Sequence, residues 1–132
     1  MKFDHIGIFV SDLASGREKM AALLPIVSFS DITEDSLLGV RVQFGVDSSG
    51  IRYELVAPYG EKNPVSGVLK AGKNILNHVA YRVPNLDESM KKLQAAGCDQ
   101  LGQPAPALAF GGANVVFFYS PLKFIIELIE LG

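Results

Sequence analysis

The chain has one cysteine, no tryptophan and only two histidines in 132 residues. A lone Cys98 forms no internal disulfide and suits a reducing compartment. It follows Gly97 just past a helix-like segment, far in sequence from either histidine, so it reads as structural rather than nucleophilic. No apolar run approaches the roughly 18–20 residues that span a bilayer. The opening Met1-Lys2-Phe3-Asp4-His5 lacks the apolar centre of a signal peptide. Twelve Lys and Arg stand against fourteen Asp and Glu, a net charge of −2, and the basic residues are scattered rather than gathered into the stripe of a nucleic-acid binder. Neither a membrane nor a nucleic acid is an expected partner, and the cytoplasm is the expected location. What is present is 48% hydrophobic and 20% charged residues, the mixture of a packed globular core. The length suits one domain, or two small modules sharing a core.

The two histidines head two similar stretches. His5-Ile-Gly-Ile-Phe-Val-Ser-Asp-Leu13 aligns with His78-Val-Ala-Tyr-Arg-Val-Pro-Asn-Leu86 at an offset of 73 residues, 5 to 78. Glu54, in Arg-Tyr-Glu-Leu-Val, and Glu127, in Ile-Ile-Glu-Leu-Ile, stand at the same offset, 54 to 127. Two scarce or charged residue types repeating at one spacing point to a duplicated module, the copies covering about residues 1–62 and 74–132. In the first copy, residues 2–10 read as a strand and Ser11 or Asp12 caps a helix running to Leu24, before Pro25. Residues 37–46 and 51–57 read as strands joined by the turn Asp47-Ser-Ser-Gly50. Asn63-Pro64 opens a short helix. In the second copy, residues 77–83 form a strand and Asn85 caps a helix to Ala96, stopped by Gly97. A Pro-rich loop with Pro104 and Pro106 leads to Gly111-Gly112, and residues 114–119 and 123–131 are strands. Each copy is therefore β-α-β-β, with room for one further short strand in each linking segment.

Side chains alternate across a strand, so His5 shares a face with Gly7 and Phe9, and His78 with Ala80 and Arg82. The small residues at 7 and 80 leave space beside each imidazole. Glu127 lies in a run that is apolar on both sides, where a carboxylate is costly to bury unless paired or bound to metal. Singly, each His or Glu reads as an ordinary core or surface residue; as a duplicated set, His5, Glu54, His78 and Glu127 read as metal ligands. Two imidazoles and two carboxylates suit one divalent ion among Mn, Fe, Co, Ni and Zn, and an octahedral ion leaves two positions for water or substrate. Arg52 shares its strand face with Glu54, and Arg82 shares one with His78, so both are candidate holders of a substrate anion. The competing reading has them at solvent or paired with Asp or Glu. Gln43 is assigned to the same inner face, as a donor to substrate.

These segments, with Tyr-Glu54-Leu-Val-Ala-Pro58, resemble the vicinal oxygen chelate superfamily, the glyoxalase/bleomycin-resistance-like proteins, over nearly the whole chain. The resemblance implies an α+β fold, two tandem βαβββ modules forming a cup-shaped mixed sheet around a metal site. Within the superfamily the likeness is to methylmalonyl-CoA epimerases, carried by Glu-Leu-Val-Ala-Pro58, Asn63-Pro64 and Val115-Val-Phe-Phe-Tyr-Ser-Pro121. There are two departures. Asn77 stands where those enzymes carry the first of paired histidines, and Pro121-Leu-Lys-Phe124 replaces a longer, Gly-containing loop. The resemblance implies a metal-dependent enzyme that abstracts a proton next to a carbonyl through a metal-stabilised enolate, as in epimerisation of a 2-substituted acyl-CoA such as methylmalonyl-CoA, with Glu127 as one acid/base. It equally admits a glyoxalase I-like lyase acting on a thiol adduct of a 2-oxoaldehyde. A non-catalytic protein that binds a small molecule or antibiotic is the reading from another class; the kept quartet and the lack of tryptophan argue against it. An extradiol dioxygenase fits less well, being typically built with two His and one Glu in a longer chain. The partner expected is a small-molecule substrate, and members commonly dimerise, so a homodimer fits as well.

Overall fold

The structure, a computed structural model, describes residues 1–73 and 75–131. Among these the elements run β1 (Lys2–Phe9), α1 (Leu13–Leu23), β2 (Ile26–Phe29), β3 (Thr33–Asp35), β4 (Val40–Asp47), β5 (Arg52–Pro58), α2 (Val65–Ala71), β6 (Leu76–Val83), α3 (Leu86–Ala95), β7 (Asp99–Pro106), β8 (Asn114–Tyr119) and β9 (Ile125–Glu130). A short 3-10 turn, Leu108–Phe110, lies between β7 and β8. The class is α+β, and no described helix is long and apolar enough to cross a membrane.

Contacts divide the chain into two compact units, His5–Asn77 and Met1–Asp4 with His78–Gly132. In the unit His5–Asn77, the strand path is β2-β4-β5-β1, with β3 also on β4. β1 and β5 run parallel, while β4 is antiparallel to β5 and β2. The Asp47–Gly50 turn closes the β4–β5 hairpin because Asp47 Oδ1 accepts from the backbone N–H of both Ser49 and Ile51 at 2.9 Å. Asp12 caps α1, its carboxylate accepting from Ser15 N at 2.9 Å. The helix lays Leu13 and Met20 on Leu55 and Ala57 of β5, and Ile8, Phe29 and Tyr53 pack around them.

The other unit repeats the plan as β6-β9-β8-β7, with β6 parallel to β9 and the remaining pairs antiparallel. Asn85 caps α3 by accepting from Glu88 N at 3.0 Å. Leu86 and Leu93 of that helix close over Val83, Cys98, Val116, Phe118 and Leu128. Cys98 is thus a core side chain.

Three segments extend the reading from sequence. The stretch around Pro104 and Pro106 is strand β7 rather than loop. It lies at the end of its strand path, where a proline's missing N–H disturbs least, and its pairing with β8 is interrupted between Leu101 and Ala105. β2 and β3 occupy the linking segment of the first copy, and β4 begins at Val40 rather than at 37 because Gly39, at φ 72°, turns the chain into it.

Candidate metal centre

The face of the His5–Asn77 unit that carries His5 and Glu54 follows from register. Gly7 of β1 stands directly across from Glu54 of β5, and Glu54 directly across from Phe44 of β4. His5, two residues before Gly7, therefore shares their face. His5 Nε2 lies 3.3 Å from Glu54 Oε1, with both residues buried. The Phe44 ring meets the His5 imidazole edge-on, centroids 5.4 Å apart and planes at 78°. Arg52 stacks its guanidinium over that same Phe44 ring, 4.3 Å from the centroid.

The second unit repeats this arrangement. Ala80 of β6 stands across from Glu127 of β9, and Glu127 across from Phe117 of β8. His78 Nε2 lies 3.3 Å from Glu127 Oε1, again with both residues buried. The Phe117 ring meets the His78 imidazole edge-on at 5.6 Å and 79°. Phe44 and Phe117 are themselves 73 residues apart, as are Gly7 and Ala80, so the rings and the small facing residues belong to the duplicated set. The spacing of the repeat was the signal that could have singled out both phenylalanines.

All four residues are of types that hold a metal ion. The 3.3 Å separations fit that role. Two donors bound side by side at right angles, each about 2.1 Å from an ion, lie about 3 Å apart. Buried carboxylates beside imidazoles, each imidazole in T-shaped contact with a phenylalanine ring, form a donor set suited to a borderline divalent ion.

The remaining candidates part ways. Arg52 keeps to the Glu54 face of β5, over Phe44. Arg82 is engaged by Asp4, Nε to Oδ1 at 2.7 Å, and its guanidinium lies 5.8 Å from the Phe110 ring centroid. That matches the paired alternative raised from sequence. Gln43 corrects the inner-face assignment. As the neighbour of Phe44 in strand β4, it points to the opposite face, toward α1, where its Nε2 donates to the Ser30 carbonyl at 2.7 Å.

The model of the Glyoxalase/Bleomycin resistance protein/Dioxygenase superfamily matches residues 4–118, and the chain belongs to that superfamily. Among solved structures, a hypothetical protein from Bacillus halodurans C-125 aligns with a TM-score of 0.83 at 22% identity, over 99% of this chain and 94% of that one. Methylmalonyl-CoA epimerase from Mycobacterium tuberculosis aligns with a TM-score of 0.78 at 23% identity, over 99% of this chain and 88% of that one. A Streptomyces coelicolor methylmalonyl-CoA epimerase in complex with 2-nitronate-propionyl-CoA aligns with a TM-score of 0.76 at 22% identity, over 98% and 96%. At such identities the likeness is one of fold. No curated protein sequence matches the chain.

Proposed function

We propose that His5, Glu54, His78 and Glu127 together hold one divalent ion, and that the chain is an enzyme abstracting a proton from the carbon next to a substrate carbonyl. The observation that carries this reading is the duplicated pair. Each unit buries a histidine 3.3 Å from a glutamate, opposite a small residue and behind an aromatic edge, at one 73-residue spacing. All four residues are buried, where an uncompensated charge is costly.

A bound ion of this kind supplies Lewis acidity toward a carbonyl oxygen. Glu127 is the residue that takes up or returns the proton at the adjacent carbon, its carboxylate held between Ile125 and Ile129 on β9. Phe44 and Phe117 hold the imidazole planes. Arg52, fixed over Phe44, binds an anionic group of the substrate. The substrate class is a 2-substituted acyl-CoA, a reading supported by family membership and by the epimerases among the structural relatives.

The test is solvent exchange. Protein reconstituted with Co²⁺ is incubated with methylmalonyl-CoA in deuterium oxide, and deuterium at the carbon between the two carbonyls is followed by NMR. Exchange that disappears in Glu127→Gln is the expected result. Metal-loaded protein giving no exchange contradicts the epimerase reading. Turnover of the hemithioacetal of methylglyoxal and glutathione in a parallel assay replaces it with a lyase.

A further inference from the structure

The turn between β8 and β9 copies the turn between β4 and β5, with one exchange that matters. In the earlier turn Asp47 N donates to the Ile51 carbonyl and Gly50 N to the Asp47 carbonyl, both at 3.0 Å. In the later one Ser120 N donates to the Phe124 carbonyl and Lys123 N to the Ser120 carbonyl, both at 2.9 Å. Each of these residues stands 73 positions from its counterpart. The fourth residue of the turn is left-handed in both copies, Gly50 at φ 84° and Lys123 at φ 72°. Glycine adopts that conformation freely and lysine at a cost. Among the described residues Lys123 is the one non-glycine residue that does so. The same hydrogen bonds close around glycine in the first copy, so what the strain retains is the lysine side chain.

That side chain lays its ammonium over the Tyr119 ring, 5.8 Å from the centroid, and meets no carboxylate among the described residues. Register places the ring. Tyr119 is directly across from Ile125, and Ile125 from His78; Phe117, two residues before Tyr119, is directly across from Glu127. Tyr119 and Lys123 therefore mark one end of the sheet face that carries His78 and Glu127, with Tyr119 about 7 Å along the strand from Phe117. β7 widens this face with Leu101, across from Phe117, and Asp99, across from Tyr119. The apolar part is incompletely covered. Phe117, Tyr119 and Ile125 are half-buried and Leu101 is 44% exposed, whereas Val116, Phe118 and Leu128 on the α3 side are at most 1% exposed.

We propose that Lys123 binds an anionic group, phosphate or carboxylate, of a substrate whose apolar part lies on Leu101, Tyr119 and Ile125 beside Glu127. The inference deepens the enzyme reading and rests on it. Supported by a ring rather than by a carboxylate, the ammonium keeps its charge and its donors for a ligand. At the 73-residue offset the first copy has Ser28 for Leu101, Val46 for Tyr119 and Gly50 for Lys123, so this joining of an apolar wall to a lysine belongs to the second copy alone.

The deciding variant is Lys123→Gly, which installs the residue of the first copy at a position whose backbone already suits it. Isotope-labelled full chain as purified, with its metal content measured, is titrated with hexyl phosphate, hexanoate and hexanol, and amide shifts are followed by NMR. The expected result is saturable shifts at Leu101, Tyr119 and Lys123, with at least one anion binding about tenfold tighter than hexanol, the scale of one charge-assisted hydrogen bond. Lys123→Gly should weaken anion binding about tenfold, leave hexanol unchanged and raise the denaturant midpoint as the strain is released. Asp99→Asn, which removes the carboxylate across from Tyr119, should strengthen anion binding. Absence of saturable shifts, anions no tighter than hexanol, or unchanged anion affinity in Lys123→Gly overturns the proposal. So does weaker anion binding in Asp99→Asn, or a midpoint that falls in Lys123→Gly, the mark of a lysine kept for the fold. The titration reads binding without turnover, so a failure of deuterium exchange leaves this result standing, and exchange that persists with no effect of Lys123 removes this inference alone.

Discussion

Glu127 is 3% exposed and sits on β9 with Ile125 and Ile129 as its neighbours on one face. A carboxylate is kept there only with strong partners, and His78 Nε2 at 3.3 Å is one. Residue spacing alone singles out the two histidines and two glutamates as a set, and the structure pairs His5 with Glu54 and His78 with Glu127. The face of Gln43 was not legible for a physical reason. Both faces of β4 are largely buried, so polarity gives no phase, and a one-residue error exchanges the faces. The register of Phe44 opposite Glu54 sets it. Ala80 is fully buried across from Glu127. Ala80→Leu should therefore displace the carboxylate, abolishing metal uptake and costing about 1–3 kcal/mol in denaturant unfolding. The two arginines should separate by readout. Arg82→Met takes the guanidinium from the buried Asp4 and should lower stability by about 1–2 kcal/mol. Arg52→Met should leave unfolding nearly unchanged and raise KM for an anionic substrate about tenfold. An unchanged KM there removes Arg52 from the binding role.

At the scale of elements, both long helices were legible from their caps. Asp12 and Asn85 each accept from the backbone three residues on, and each helix starts at the next residue. Replacing either with Ala should cost about 1 kcal/mol, measured by chemical denaturation. Strand β7 was hidden by its prolines, which an edge position tolerates, and β2 and β3 are too short to show alternation. The turn into β4 depends on Gly39. Its φ is 72°, its N–H donates to the Asp35 carbonyl, its own carbonyl accepts from Tyr59 N, and a Cβ would run into the Lys62 carbonyl oxygen. Gly39→Ala should consequently lower stability by about 1–3 kcal/mol, a larger effect than either cap.

For the whole molecule, duplication is the organising fact. Two units of like plan, β-α-β-β extended by the short strands β2 and β3 in one and by the eight-residue edge strand β7 in the other, each carry one histidine–glutamate pair, and the family model spans residues 4–118. The repeat is legible in the sequence because its markers are rare residues; no residue pattern of the chain names a substrate in the same way. Arg52 corresponds to Ile125 and Arg82 to Phe9 at the 73-residue offset, so the cations break the symmetry that the histidines and glutamates keep. If one ion takes its donors from both copies, binding adds to folding stability. Free metal at a hundred times its Kd should add about 2.7 kcal/mol, seen as a rise in Tm that a chelator reverses.

The most direct measurement is metal content by mass spectrometry of untagged protein purified without added metal, beside the His5→Ala, Glu127→Ala double variant. The proposed quartet predicts close to one divalent ion per chain in the parent and almost none in the variant. Protein that holds no ion, even after exposure to Co²⁺, Ni²⁺ and Mn²⁺, or a variant that retains it, would contradict the metal centre and the chemistry built on it.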